Sequence, residues 1–218
     1  MDIWATWLDS IGGILTMLSS GAGLGLGLSI VVGTVLLRTV LLPLAWPIAY
    51  RACLRKKKMV KLQPELRALQ DRLRDKPEIY LEEMRRLYRA HGLALVDAKS
   101  FVGSLAQLPV FLGMFQVLRN AGDGVRFLWV GNLLRPDVAL ALIAGLTTAF
   151  MMAVNPDIPE QLRIVMIVLP SIVAIVAALQ FSSALAIYWA TSNTFSALQT
   201  VLLHLVVRRR MRASKLQP

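Results

Sequence analysis

A single arginine, Arg38, stands inside the apolar stretch Val31–Trp46, VVGTVLLRTVLLPLAW. In such a setting a cation can do one kind of chemistry: attract and hold an anionic group where water screens little. At the centre of a membrane helix an arginine costs about 2.5–3.5 kcal/mol, and each Leu, Ile or Val returns about 0.3–0.6 kcal/mol. Ten Leu, Ile and Val residues lie between Leu28 and Leu42, so the helix still inserts. The other apolar runs contain no acidic residue, so no ion-pair partner is available within them. An unpaired buried cation favours a water-filled groove. The alternative is a structural arginine capped by carbonyls of neighbouring helices. Polar residues available to line a groove are Gln107, Thr147, Thr148, Gln180, Tyr188, Thr191 and Asn193, with Trp189 beside Tyr188. Taken singly, each is also an ordinary helix-packing residue.

Covalent chemistry has no comparable foothold. The glycines of Ser19–Gly27, SSGAGLGLG, are preceded by no predicted strand and followed by no Lys-Ser or Lys-Thr, so they are not a phosphate loop. His91 and His204 stand isolated in the sequence, and no nucleophile-base constellation or metal cluster emerges. Cys53 is the one cysteine, which excludes an intramolecular disulfide. It reads as an inert thiol, with acylation at a membrane edge as the alternative. The expectation is a non-enzymatic protein without cofactor or metal.

The elements that must position Arg38 follow from composition. Of 218 residues 56% are hydrophobic and 17% charged, and the mean hydropathy is +0.59. Charge is concentrated unevenly. Ser10–Leu37, Ser100–Leu118, Val138–Pro156 and Ile164–Val207 carry none. The last run, 44 residues, is long enough for two spans of about 20 residues each. Gln180-Phe181-Ser182-Ser183 is the natural turn between them. Nothing alternates at strand period, so the class is an all-α polytopic membrane protein. Five transmembrane helices are predicted, at residues 28–49, 100–118, 138–154, 164–180 and 184–207. Residues 1–19 carry Trp4, Trp7, Leu8, Ile11, Leu15 and Leu18 at helical steps and read as an external interfacial amphipathic helix. An additional span is the alternative for this segment. Asp2, Asp9 and the absence of early Lys or Arg exclude a secretory or organelle-targeting peptide.

Orientation follows from Lys and Arg. Residues 51–99 hold 14 of them, the tail after Val207 five, and the connection at residues 155–163 one. The opposite side has Arg119, Arg126 and Arg135. The richer side is predicted to be cytoplasmic, with the N-terminus outside and the C-terminus inside. Leu62, Leu66, Leu69 and Leu73 share one helical face, and Tyr80, Met84, Leu87 and Tyr88 another. Pro64 and Pro77 suit first-turn positions and Gly92 a helix stop, so residues 51–98 read as a cytoplasmic antiparallel helical hairpin. Its mixed charges suit anionic headgroups better than a dedicated nucleic-acid site. The basic tail, residues 208–218, reads as a membrane anchor, with affinity for ribosomal RNA as the sharper alternative.

Several stretches, in order, resemble the YidC/Oxa/Albino family of membrane protein insertases from about Gly27 to Val207. LLRTVLLPL (Leu36–Leu44) is similar to the family's first core span, with an arginine five residues before a proline. KLQPELRALQDRL and EEMRRLYRAHG resemble its cytoplasmic hairpin, and LAQLPVFLGMFQVL (Leu105–Leu118) its glutamine-and-proline span. FLWVGNL (Phe127–Leu133) resembles the external loop and FSSALAIYWATSNTFSALQ (Phe181–Gln199) the last span. The chain departs from the family pattern at LALVDAKS (Leu93–Ser100), at Gln180 and at Ser182-Ser183-Ala184.

The resemblance implies a bacterial plasma-membrane insertase working as a monomer. Its groove, open to cytoplasm and lipid and closed outside, would contain Arg38. The implied partners are nascent membrane proteins and anionic lipid, with the ribosome and the Sec translocon as further candidates. A client's polar or acidic external tail would enter the groove, and its apolar segment would leave sideways into lipid. Two other classes stay open on the residues alone. One is a small transporter or channel with Arg38 as an anion site, although no inverted repeat is visible. The other is a non-catalytic assembly subunit of a larger membrane complex.

Overall fold

The computed structural model describes residues 2–74, 76–93, 108–119, 121–155, 158 and 162–214, with backbone alone for Lys56 and residues 211–214. Its elements are α1 (Ile3–Thr16), a π-helical turn (Met17–Gly21), α2 (Gly25–Arg72), α3 (Pro77–Ala90), α4 (Leu108–Leu118), α5 (Val138–Ala153), α6 (Arg163–Ala178) and α7 (Ser183–Ser214). No strand occurs among the described residues; Phe127 and Val130 form an isolated bridge. The helical class read from composition is therefore what the backbone adopts. Helix α2 is long and apolar enough to cross a membrane, and α4, α5 and α6 are shorter apolar helices. Gln107, the stretch 94–107 that holds the start of the second expected span and the end of the expected hairpin, and residues 215–218 of the tail lie outside the described residues.

Helix α2 differs from expectation. The sequence reading ends a span at residue 49 and starts a separate helix near Pro64. The backbone instead continues as one helix of 48 residues through Pro43, Pro47 and Pro64. A proline removes one donor and crowds one carbonyl. At Pro64 that carbonyl belongs to Val60; both residues are exposed, so water can take the freed acceptor. Pro77 does open α3, where a missing N–H is harmless. Helix α3 stops at Gly92, whose φ of 63° is left-handed; Leu93 N–H then reaches back to the Tyr88 carbonyl at 2.8 Å.

The chain divides into two compact units. The first comprises residues 1–43 and 106–203. Its core gathers Ile11 and Leu15 of α1, Ile30 of α2, Met114 and Leu118 of α4, Ala141 and Ala144 of α5, and the first turns of α7. Glycines set the close approaches. A Cβ at Gly113 would fall 2.7 Å from Ile11 Cδ1, and one at Gly145 would fall 2.3 Å from Ile175 Cγ1. Helix α1 thus lies on α4, and α5 on α6, with a glycine at each contact, the small residue that lets two helices approach closely. Asp2 caps α1, accepting from Trp4 N–H at 3.0 Å. Asp137 caps α5, accepting from Leu140 N–H at 2.9 Å and from the Trp129 indole at 3.2 Å. The segment before α5 is tied to the start of α7, because Ser183 and Ala184 donate backbone N–H groups to the Arg135 and Leu133 carbonyls.

The second unit comprises residues 44–105 and 204–218. Here Cys53 Sγ lies 3.6 Å from His204 Nδ1, and the Arg210 guanidinium sits 5.6 Å from the Tyr50 ring centroid. His204 is isolated only in the sequence; folding places it against the one thiol.

Candidate functional site

Helix α7 presents Tyr188, Ser192 and Ser196 at steps of four residues, so their side chains share one face. Arg38, half-buried on α2, reaches that face. Its Nη2 donates to Ser192 Oγ, and its Nη1 donates to Ser196 Oγ at 3.4 Å. The Tyr188 hydroxyl adjoins both the guanidinium and Ser192. Arg38 Nε is buried and makes no hydrogen bond among the described residues. No carboxylate hydrogen-bonds or ion-pairs with the guanidinium among the described residues. Neutral hydroxyls accept its N–H groups but leave the positive charge uncompensated. Such an arrangement can receive an anion.

Aromatic rings wall the same region. Phe111 of α4 lies 6.3 Å from Tyr188 and 6.1 Å, edge-on, from Trp189. Phe115 packs on Phe111 at 6.3 Å and edge-on against Phe181 at 5.4 Å. These offset and edge-on geometries suit the aromatic quadrupole and hold α4 against α7. Beside them, an open cavity of about 720 Å³ lies between α1, α2 and α4. Leu41, Pro109 and Val110 line it together with Trp4 and Trp7. Both indoles are fixed: Trp4 donates to Gln116 Oε1 and Trp7 to the Pro109 carbonyl, each at 3.2 Å.

The expected groove residues divide. Arg38 and Tyr188 meet, and Trp189 joins them through Phe111. Thr147 and Thr191 do not reach Arg38. Thr147 donates to the Ile143 carbonyl at 2.9 Å, and Thr191 to the Ile187 carbonyl at 2.8 Å. A helical threonine finds its own preceding turn closer than any neighbour. Asn193 is buried and donates to Thr148 Oγ1 at 2.7 Å, which joins α7 to α5. Gln180 stands exposed in the turn after α6. The partners that sequence reasoning missed are Ser192 and Ser196. Their signal was the four-residue spacing from Tyr188, which marks a polar face on an otherwise apolar helix.

A profile of the family described as "60Kd inner membrane protein" matches residues 17–211. The chain is 29% identical over 182 residues to the membrane protein insertase YidC of Clostridium tetani, covering 81% of this chain and 80% of that one. It is 27% identical over 219 residues to the protein of the same name from Oceanobacillus iheyensis, covering 93% and 84%. Against the membrane protein insertase YidC of Helicobacter pylori strain J99 it is 28% identical over 198 residues, or 86% of this chain but 34% of that longer relative. A profile that covers nearly the whole chain leaves one assignment: the chain belongs to the 60Kd inner membrane protein family, the YidC/Oxa/Albino family of its resemblance.

Proposed function

We propose that this chain is a membrane protein insertase. A nascent membrane protein's polar or acidic external tail is drawn to Arg38 in a hydrated groove. Its apolar segment then passes into lipid, driven by its own transfer free energy. The observation that carries this reading is a charged guanidinium whose hydrogen-bond partners among the described residues are hydroxyls, within an apolar helix of a chain in this family. Tyr188 adjoins that charge, and the cavity under Trp4 and Trp7 offers apolar surface one helical turn away, at Leu41. Nearly all the remaining cations lie in residues 51–99 and the tail, which supports a cytoplasmic placement of both against anionic headgroups. The connection between α4 and α5, with Arg119, Arg126 and Arg135, is then outside.

Reconstitution tests the reading. The purified chain in proteoliposomes should raise integration of a short single-span client with an acidic external tail well above that in protein-free liposomes, scored by protease protection. Equal protection with and without the protein would overturn the proposal.

A further inference from the structure

From Thr191 onward, the described serine and threonine hydroxyls of α7 differ in their partners. Thr191, Thr194 and Thr200 each donate to a carbonyl of their own helix, at 2.8, 2.8 and 2.9 Å. Ser192 and Ser196 lie between them, and their oxygens accept from Arg38 on another helix. Ser192 is 6% exposed, so this contact is made away from bulk water. From this division we infer that Ser192 and Ser196 are positioning residues: they fix the Arg38 guanidinium on α7 through neutral oxygens and leave its charge available to a client.

The inference rests on the insertase reading and adds a reason for the type of partner. A carboxylate at either position would hold Arg38 more strongly, but it would cancel the charge that an acidic client tail needs. A methyl group would leave the charge whole but let the long side chain move among its rotamers, at an entropic cost paid again when the client binds. Serine avoids both losses. Two hydroxyls spaced by one turn match the two Nη groups, and the buried Nε keeps an N–H unused among the described residues. An incoming carboxylate therefore meets an arginine already held in place.

The test uses the full chain in proteoliposomes and two clients that differ only in tail charge. Ser192→Ala/Ser196→Ala should lower integration of the acidic-tailed client about tenfold, the equivalent of about 1.4 kcal/mol, and leave the neutral-tailed client unchanged. Ser192→Thr/Ser196→Thr keeps oxygens that can accept from Arg38 even while their O–H groups donate to the preceding turn, and should restore most of the loss. In an Arg38→Leu background the alanine pair should have no further effect, because the residues act through Arg38. Loss for both clients alike, or an additional loss in the Arg38→Leu background, would mark the serines as packing residues and overturn the inference. If Arg38→Leu impairs the acidic-tailed client while the alanine pair does not, the inference fails and the insertase reading stands. If Arg38→Leu spares the acidic-tailed client, the assigned role of Arg38 fails, and the serine inference falls with it.

Discussion

Replacing Arg38 by leucine separates stability from function, and the structure sets the magnitudes. The substitution removes two hydrogen bonds from a charged donor, one to Ser192 and a long one of 3.4 Å to Ser196. Charged hydrogen bonds contribute about 1.5–3 kcal/mol at good geometry, and the long one falls below that range. The freed serine hydroxyls can turn to carbonyls of their own helix, as Thr191, Thr194 and Thr200 already do, so no buried acceptor is stranded. Against the loss stands the removal of an arginine from the membrane interior, worth about 2.5–3.5 kcal/mol on insertion scales. The two terms nearly cancel, and Arg38→Leu should change unfolding free energy by no more than about 1 kcal/mol. Function should respond differently. A client carboxylate at about 4 Å from the guanidinium gains about 1 kcal/mol in bulk water and about 4 kcal/mol at a surface-like effective dielectric. A wet groove lies between these limits, so an acidic-tailed client should lose about one order of magnitude or more in integration. Arg38→Lys keeps a cation on a flexible stem and should retain most activity. The assay pairs clients differing only in tail charge with thermal unfolding of the same purified variants. Equal loss for both clients together with a strongly lowered Tm would refute the reasoning and make Arg38 a structural cap.

Gly145→Ala should destabilise the chain by about 1–3 kcal/mol through overpacking, since its Cβ would stand 2.3 Å from Ile175 Cγ1 and 3.2 Å from the Ser171 carbonyl. Adding Ile175→Ala should recover part of that loss in denaturant unfolding, and strict additivity would exclude the contact. Asp137→Ala removes the α5 cap and the acceptor of the Trp129 indole; it should cost about 1 kcal/mol, and Asp137→Asn should cost less. For topology, a Cys53→Ser chain carrying single cysteines at Asp9, Asp75, Gly124 or Ser214 should label from outside, inside, outside and inside respectively. Outside labelling at Asp75 would reverse the orientation.

The structure also separates what a membrane sequence displays from what it conceals. The uncharged runs that became α4, α5 and α6 were visible because apolar length is a local property that needs no partner. Their limits were less visible. The expected break near residue 50 is absent because prolines at 43, 47 and 64 interrupt single hydrogen bonds without ending α2. Thr147, Thr191, Gln180 and Asn193 looked equivalent to Tyr188 as groove residues. A polar side chain in an apolar helix has three outlets: its own backbone, a neighbouring helix or water. Type and position do not choose among them, and here Thr147 and Thr191 took the first and Asn193 the second.

By itself, the sequence determined the helical class, the lone cation within an apolar run, the basic segments and the family resemblance. Each depends on composition, order or short-range spacing. Only the tertiary structure decided that Ser192 and Ser196 receive Arg38, that Asn193 locks to Thr148, and that His204 lies on Cys53. Those pairs are separated by 45 to 158 residues along the chain. Their meeting is a long-range choice of helix packing, and no local pattern encodes it.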